Sequence, residues 1–453
     1  MSERTIAAIA TPIGSASIGV IRISGDKAID IADKIFFPFS GGKLCELEGY
    51  RAAYGEIRDN GTVLDDAVAL VFRAPKSYTG EDVVEISVHG GTLMLRSVLR
   101  LTLANGAYSA EGGEFTKRAF LNGKTDLTRA ESIMGLISAK SEAELKLSRA
   151  AHTGRLSRKL SEIESSLKEA AASIAAFADY PDEDIDGLSI ESFSKMLSNA
   201  EFSLNEMLRT YDAGKVIREG IDTVIVGKPN VGKSTLMNLL SGTEKSIVTD
   251  IAGTTRDVIE ETVTAGDITL RLSDTAGIHE ASDEVERLGV ERAKDRIETA
   301  SLILAVFDSS APLDDDDYAL IESVKGLNTI FIINKSDIGK GFDASAFKGM
   351  RTVTVSAKSG DGYNELVKQI AEITGTANLD PDSAVLFGER QRACAARAYE
   401  AVREAKNALL NGYTLDAVGV CVDDSLSALY ELTGKRVTNE VTDEIFRRFC
   451  VGK

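Results

Sequence analysis

The spacing of apolar positions changes along this chain and predicts different kinds of structure. Up to about residue 118, short apolar runs such as 18–23 and 67–72 are separated by turns, which predicts strands mixed with helices. From about residue 126, apolar side chains recur every three or four residues, which predicts helices that stop near Tyr180 and Pro181. The first part is therefore expected to be α+β and the next part all-α.

A second change of spacing occurs after a helical stretch over 193–208. Short apolar runs then predict the strands of an α/β domain, and they cover residues 223–226, 268–272, 329–333 and 352–355. Helical spacing returns over 389–410 and 426–449, after Gly375. The α/β domain is thus inserted into a helical domain, and its two ends must lie close together.

These patterns predict a multidomain protein. The predicted domains are an N-terminal α+β domain over 1–118, a helical domain formed by 119–215 and 379–453, and an inserted α/β domain over 216–378. A chain of 453 residues with 43% hydrophobic content is long enough to bury several cores.

A phosphate-binding loop follows the first strand of the α/β domain. The sequence Gly227-Lys-Pro-Asn-Val-Gly232-Lys233-Ser234 lies between a predicted strand and a predicted helix over 235–240. Its glycines let successive N–H groups turn toward a phosphate chain, Lys233 adds a positive charge, and Ser234 offers a hydroxyl to Mg²⁺. The loop predicts a P-loop protein that binds a nucleoside triphosphate.

Further segments in the expected order identify the nucleotide. Residues 250–257 contain hydroxyls that can reach Mg²⁺, and Asp274 to Gly277 is placed to sense the third phosphate. Asn334-Lys-Ser-Asp337 ends a strand, and we expect the Asp337 carboxylate to accept hydrogen bonds from the N1–H and N2 amino donors of guanine. Adenine lacks these donors, so bound ATP would leave the carboxylate buried and unpaired. These segments predict a Ras-like GTPase. The predicted GTP-binding residues are Asn230, Val231, Gly232, Lys233, Ser234, Thr235, Thr249, Thr254, Thr255, Asp274, Thr275, Ala276, Gly277, Asn334, Lys335, Asp337, Ser356, Ala357 and Lys358.

The residue that positions the attacking water differs from that of Ras. Ile278 occupies the place of the Ras glutamine and has no hydrogen-bonding group. Glu286 is the candidate replacement through a bridging water, and the alternative is a solvated helix carboxylate. Asn230 can hold a monovalent cation in place of an arginine finger.

Composition restricts the setting of this activity. No apolar run of 18 residues and no signal peptide pattern is found, and the four cysteines lack a disulfide-framework spacing, so we predict a cytoplasmic protein without membrane contact. A formal net charge of −18 repels nucleic-acid phosphates at long range and so disfavours the binding of nucleic acid.

Motifs outside the α/β domain carry a resemblance to a known family. They comprise residues 20–25 (Val-Ile-Arg-Ile-Ser-Gly), 77–85 (Ser-Tyr-Thr-Gly-Glu-Asp-Val-Val-Glu), 89–91 (His-Gly-Gly), 113–127 (starting Gly-Glu-Phe-Thr-Lys-Arg) and 450–453 (Cys-Val-Gly-Lys). With the GTPase segments, they make the sequence resemble the bacterial tRNA-modification GTPases of the MnmE family, also called TrmE or ThdF, from Thr5 to Lys453.

The resemblance implies a K⁺-stimulated GTPase that forms a homodimer in which Glu286 is catalytic. It implies K⁺ ligands at Asn230, Thr249, Ile251 and Thr254, and Mg²⁺ ligands at Ser234 and Thr255.

The resemblance also implies that the N-terminal domain binds tetrahydrofolate and dimerises. Arg22, Glu81, Lys124 and Lys453 match the family's folate site; a carboxylate can accept from a pterin edge, and cations can meet the glutamate tail. Taken singly, Arg22 and Glu81 also fit surface ion pairs. Cys450 is either a nucleophile near cations or a small apolar side chain that continues the face of Phe446 and Phe449.

The implied reaction is shared with a partner. A protein of the MnmG (GidA) type carries FAD and uses NADH, joins the dimer in a heterotetramer or larger complex, and 5,10-methylenetetrahydrofolate supplies the carbon for an aminomethyl or carboxymethylaminomethyl group at C5 of the tRNA wobble uridine. The acidic charge predicts weak tRNA binding by this chain alone. Two alternatives remain, namely a switch GTPase of ribosome assembly and a scaffold whose dimerisation GTP controls.

Overall fold

The computed structural model describes residues 4–179, 190–242, 261–272, 297–339, 341, 344–377, 379–380 and 383–453. The chain divides into two compact units, which are described separately below. The first consists of Met1–Met134 and Ser427–Lys453, and the second of Gly135–Leu426.

Two sheets and a set of helices make up the described chain. The strands are β1 (Ile6–Ile9), β2 (Ile18–Ser24), β3 (Phe36–Pro38), β4 (Arg51–Asp59), β5 (Thr62–Phe72), β6 (Val83–His89), β7 (Tyr108–Ser109), β8 (Ile221–Val226), β9 (Glu261–Ala265), β10 (Ile268–Leu272), β11 (Leu302–Asp308), β12 (Thr329–Asn334) and β13 (Thr352–Thr354). The helices are α1 (Ala28–Ile35), α2 (Thr92–Ala104), α3 (Glu114–Leu121), α4 (Leu127–Ser138), α5 (Glu142–His152), α6 (Arg155–Asp179), α7 (Ile190–Glu219), α8 (Lys233–Ser241), α9 (Asp315–Ser323), α10 (Tyr363–Ile373), α11 (Glu389–Leu410), α12 (Leu415–Thr433) and α13 (Asn439–Arg447).

The first unit contains a seven-stranded sheet in the order β3-β4-β5-β6-β2-β1-β7. Its neighbours pair antiparallel except β1 and β7, which are parallel. Side chains alternate along each strand, and the inward set packs with the apolar faces of α1 and α2 into one core. The α+β prediction for this part of the chain is confirmed.

The terminal segment of the chain also belongs to the first unit. Phe446 of α13 and the following Phe449 pack on Leu127 and Ala130. Val451 then forms an antiparallel bridge with Gly112. The last residues are therefore part of the fold of this unit.

The helical spacing predicted over 426–449 corresponds to parts of two helices with a turn between them. Helix α12 starts eleven residues earlier and ends at Thr433, and Gly434 follows with φ +88°. A Cβ at Gly434 would lie 2.8 Å from Leu127 Cβ and from the Phe120 ring, so the chain turns where it passes these side chains. Thr438 then caps α13 by accepting a hydrogen bond from the N–H of Val441.

The second unit contains a six-stranded sheet in the order β13-β12-β11-β8-β10-β9. All neighbours are parallel except the edge strand β9, which is antiparallel to β10. Helices α8 and α10 pack on one face of the sheet and α9 on the other. The four predicted strands are confirmed as β8, β10, β12 and β13, and so is the α/β fold class.

The helical part of the second unit adjoins this sheet. Helix α7 runs to Glu219, eleven residues beyond the predicted 193–208 stretch, because Tyr211 and Ile217 continue its buried face. The Arg218 guanidinium lies 4.9 Å from the centre of the Phe387 ring and donates to the carbonyl of Leu386 at 3.1 Å. The segment that precedes the sheet is thus in contact with the segment that follows it. Among the described residues, no helix is long and apolar enough to cross a membrane.

Candidate functional site

The carboxyl ends of the parallel strands bring four loops of the second unit to one edge of the sheet. The phosphate loop follows β8, the segment from Asp308 follows β11, Asn334 to Asp337 follows β12, and Ser356 follows β13. In open α/β sheets this edge is where ligands bind. The three loops predicted from the sequence and the segment from Asp308 therefore lie at the same edge of the sheet.

The phosphate loop has a shape that its glycines permit. Gly227 has φ +151°, and a Cβ there would lie 2.4 Å from the carbonyl oxygen of Val306. Gly232 has φ +99°, and a Cβ there would lie 2.3 Å from Asn334 Nδ2. Any side chain at either position would collide with the neighbouring strand ends. The loop leads directly into the N-terminus of α8, where unpaired N–H groups and the helix dipole favour phosphate.

The side chains of the loop and first turn are placed for phosphate and metal chemistry. Lys233 Nζ donates to the carbonyl oxygens of Gly227 at 2.7 Å and Lys228 at 2.8 Å, so its ammonium lies across the loop. Ser234 and Thr235 are exposed on the first turn of α8. An exposed hydroxyl here fits Mg²⁺, which takes one or two protein ligands and fills its octahedron with phosphate oxygens and water.

Asn334 joins three of the loops. It is 2% exposed, and its Nδ2 donates to the carbonyl oxygen of Val231 at 2.8 Å. Its Oδ1 accepts from the N–H of Ala357 at 2.9 Å. The amide therefore fixes the base-binding loops relative to the phosphate loop.

Asp337 is exposed where it follows the end of β12. Its Oδ1 accepts a hydrogen bond from Ser356 Oγ at 2.8 Å. This hydrogen bond is the largest cause that lowers the pKa of the Asp337 carboxyl, and a backbone hydrogen bond lowers it further. The carboxyl is therefore ionised at neutral pH. The carboxylate is held in one orientation and accepts hydrogen bonds, as guanine recognition requires.

Lys335 is held by the segment that follows β11. Its backbone has φ +64°, and its Nζ donates to Asp308 Oδ2 at 2.6 Å. Burial raises the pKa of Asp308, but hydrogen bonds from Lys335 and Ser310 outweigh it, and the net pKa is lowered. The Asp308 carboxyl is therefore ionised at neutral pH.

A contact of the phosphate loop was missed by the sequence reasoning. Lys228 Nζ donates to Asp314 Oδ2 at 2.6 Å and to Asp317 Oδ2 at 2.7 Å. The acidic run 314–317 reads from sequence as a solvated loop, which is wrong, because Asp314 and Asp317 cap α9 reciprocally. Their three-residue spacing before a helix is the capping-box spacing, which was the available signal.

Several predicted residues lie outside the described part of the chain. They are Thr249, Ile251, Thr254, Thr255, Asp274, Thr275, Ala276, Gly277 and Glu286. Their roles remain predictions.

The candidate folate residues lie in the first unit. Arg22 Nε pairs with Glu85 Oε1 at 2.8 Å, and Arg22 Nη1 donates to the carbonyl oxygen of Gly452 at 3.0 Å. The guanidinium lies 5.5 Å from the ring centre of Tyr78 and 5.6 Å from that of Phe115. Arg22 is thus oriented beside the chain terminus.

Helix α3 connects Arg22 to the other candidates. The N–H of Phe115 donates to the carbonyl oxygen of Lys453 at 3.1 Å. Arg118, only 4% exposed, pairs with Glu81 Oε2 at 3.0 Å and with Glu114 at 3.0 Å. Arg118 was missed as a contributor to this cluster.

Lys124 and Cys450 complete the predicted set. Lys124 Nζ donates to the carbonyl oxygen of Pro75 at 2.9 Å, and its stem lies close to Gly80, next to Glu81. Cys450 is exposed, and its carbonyl oxygen accepts from the N–H of Gly113 at 3.3 Å. The described structure therefore places Arg22, Glu81, Lys124 and Lys453 around α3 and the loop that precedes β6.

Comparisons with known proteins bear on the whole chain. A family model described as the MnmE helical domain matches residues 127–450, and one described as the GTP-binding protein TrmE N-terminus matches residues 5–124. A tRNA modification GTPase MnmE of Acetivibrio thermocellus is 40% identical and covers 100% of this chain and 99% of its own; one of Geobacter sulfurreducens has the same identity and coverage.

Solved structures resemble part of the chain. Aquifex aeolicus Era bound to GDP and AlF4⁻ is 30% identical over 40% of this chain and 66% of its own, with a TM-score of 0.26. The G domain of the Thermotoga maritima FeoB iron transporter is 27% identical over 34% of this chain and 98% of its own, with a TM-score of 0.25. These scores are too low to support an argument.

The two family models and the full-length relatives together show the family of this chain. The chain belongs to the MnmE family and is a GTPase involved in tRNA modification.

Proposed function

We propose that this chain hydrolyses GTP with K⁺ stimulation and acts with an FAD-dependent partner of the MnmG type on tRNA. The joint reaction adds an aminomethyl or carboxymethylaminomethyl group to C5 of the wobble uridine, with 5,10-methylenetetrahydrofolate as carbon donor. The observation that carries the proposal is the Asn334 amide, which fixes the phosphate loop against the base-binding loops. Support for the folate role comes from the cluster around α3.

The residues of the second unit have separate roles in this proposal. The phosphate loop and Lys233 bind the phosphate chain, and Asp337 accepts from the guanine edge. Ser234 and Thr255 would hold Mg²⁺, which neutralises charge on the phosphates when bound. Glu286 orients the attacking water.

The folate role rests on the chemistry of the cluster in the first unit. Glu81 supplies a carboxylate that can accept from the donor edge of a pterin, and its orientation is fixed by Arg118 and by Ser24 Oγ at 2.8 Å. Arg22, Lys124 and Lys453 supply cations for a glutamate tail. We propose these four residues as the folate site.

K⁺ dependence tests the cation proposal. Asn230 is an exposed residue of the phosphate loop with φ +62°. A cation held at this loop would compensate charge on the transferring phosphoryl group. We expect hydrolysis in K⁺ to exceed hydrolysis in Na⁺ by about tenfold, and Asn230→Ala to remove the difference. Steady-state phosphate release measures both, and Asn238→Ala, an exposed asparagine on α8, is the matched control. Equal rates of the wild-type protein in the two salts would contradict the proposal.

Wobble-uridine modification tests the function as a whole. Deletion of the gene should leave tRNA wobble uridines hypomodified, and the wild-type chain should restore them. Glu286→Ala should slow hydrolysis and fail to restore modification, because hydrolysis drives the reaction in this proposal. Mass spectrometry of digested tRNA measures the outcome. Full modification with a hydrolysis-deficient chain would show that the two activities are not coupled.

A further inference from the structure

Lys228 connects the phosphate loop to the start of α9. Its ammonium reaches Asp314 at 2.6 Å and Asp317 at 2.7 Å, and its side chain is 28% exposed. The Asp317 side chain is 5% exposed and also accepts from the N–H of Asp314 at 3.2 Å. Hydrogen bonds that involve a charged, poorly solvated group are stronger than neutral ones. The Lys228 side chain is therefore held at both carboxylates.

The main chain of Lys228 is in direct contact with the side chain of Lys233. The carbonyl oxygen of Lys228 accepts from Lys233 Nζ at 2.8 Å, and that of Gly227 accepts at 2.7 Å. Gly227 has little freedom to move because it lies against Val306. The Lys228 carbonyl is therefore one of the supports of the Lys233 ammonium, and the same residue is anchored through its side chain.

The segment that holds Lys228 also holds the base-binding loop. Asp308, at the start of this segment, pairs with Lys335 at 2.6 Å. The N–H of Ser309 donates to the carbonyl oxygen of Asn334 at 2.9 Å. Residues 308–317 thus contact the phosphate loop and the loop that follows β12 through three lysine–aspartate pairs.

We propose that Lys228 is a positioning residue for GTP hydrolysis. Its ion pairs with Asp314 and Asp317 fix the carbonyl that supports Lys233, and so place the Lys233 ammonium for the phosphates. The proposal rests on the phosphate loop being the GTP site as proposed above. Lys228 acts through Lys233 and the loop, not by contact with the nucleotide.

A second explanation predicts the opposite change in nucleotide Kd when Asp314 and Asp317 are neutralised. If Lys228 merely adds positive charge near the phosphates, then removal of the two negative charges should strengthen nucleotide binding. If Lys228 positions the loop, removal of those charges should weaken binding because Lys228 loses its support. The direction of the change in Kd therefore separates the two explanations.

The experiment uses the full-length chain and labelled GDP and a non-hydrolysable GTP analogue. Lys228→Met and the pair Asp314→Asn with Asp317→Asn should each raise Kd by about tenfold, which corresponds to about 1.4 kcal/mol. Asparagine retains the cap of α9. The matched control is Asp315→Asn with Asp316→Asn, two exposed residues of the same turn, which removes equal charge and should leave Kd nearly unchanged. Adding Lys228→Met to the first pair should cost little more than either alone, since they remove one interaction.

Further variants separate positioning from misfolding. Lys228→Arg can pair with both carboxylates and should retain wild-type Kd and kcat, while Lys228→Met should lower kcat/KM at a temperature where the variant is still folded. Its thermal midpoint should fall, because Asp317 loses its charged partner. Lys233→Ala should abolish binding; if it binds normally, the proposed GTP site itself is wrong. If Lys233→Ala loses binding but Lys228→Met does not, or the Asp314 and Asp317 pair lowers Kd, the GTP site stands and the positioning role is overturned.

Discussion

Asp337→Asn should change the base preference of this GTPase from guanine to xanthine. In the proposed site, the Asp337 carboxylate accepts from both guanine donors, N1–H and the N2 amino group. In the variant, Ser356 still donates to Oδ1, which is 2.8 Å from Ser356 Oγ in the native protein, so the new amide nitrogen takes the place of Oδ2. That nitrogen faces the N2 amino group of guanine, donor against donor, but matches the C2 oxygen of xanthine. We expect GTP affinity to fall about 1,000-fold, or about 4 kcal/mol, and XTP to bind more tightly than GTP.

The nucleotide Kd and the hydrolysis rate with GTP and XTP measure this exchange. Asp361→Asn is the matched control, because Asp361 is exposed in the neighbouring loop and bonds to Ser359. It should leave the preference for GTP intact. Retention of GTP binding by the Asp337 variant would show that another residue reads the base.

The nucleotide-binding loops were predictable because their requirements are local. Glycines at 227 and 232 are needed for a loop that passes close to Val306 and Asn334, and the residues that follow them start α8. A short motif between a strand and a helix carries this information without reference to distant parts of the chain. Four of the six strands in this sheet were predicted for the same reason, because β8 and β12 are apolar runs and β10 and β13 alternate apolar with polar residues.

Contacts between distant segments were not predictable in this way. Lys228 lies 86 residues from Asp314, and no residue pattern in either segment indicates that the two are in contact. Arg118 and Glu81 are 37 residues apart, and each reads singly as a surface charge. Both pairs depend on how the loops come together at a strand end or beside a helix, which is a property of the tertiary fold.

Helix ends were predicted less well than helix positions. The helical spacing of α11 gave its bounds correctly, since Gly388 and Asn411 lie directly outside it. The helical prediction for 426–449 missed the break between α12 and α13, because apolar spacing continues through Gly434, where the backbone turns. The turn is needed for packing on Phe120 and Leu127, and no local residue pattern indicates that contact.

Gly452→Ala should separate folate binding from GTP hydrolysis. Gly452 has φ +95°, and an added Cβ would lie 2.5 Å from the carbonyl oxygen of Ile9 and 2.9 Å from Ala10 Cα. Both are main-chain atoms of a paired strand and its end, so the terminal tail must move instead. The hydrogen bond from Arg22 to the Gly452 carbonyl and that from Phe115 to the Lys453 carbonyl would then be lost.

Loss of the docked tail removes Lys453 and misplaces Arg22, two of the four proposed folate ligands. Each lost contact of about 1.4 kcal/mol lowers the affinity about tenfold, so the affinity for 5-formyltetrahydrofolate should fall about 100-fold. Titration calorimetry measures this change. GTP hydrolysis should be unchanged, because Gly452 belongs to the unit without the phosphate loop. Val451→Ala is the control, since this side chain is 59% exposed in the same tail and its change leaves the bridge to Gly112 intact. Normal folate affinity in Gly452→Ala would place the folate site away from the chain terminus, whereas equal loss in the two variants would point to the tail's stability and not to the backbone at residue 452.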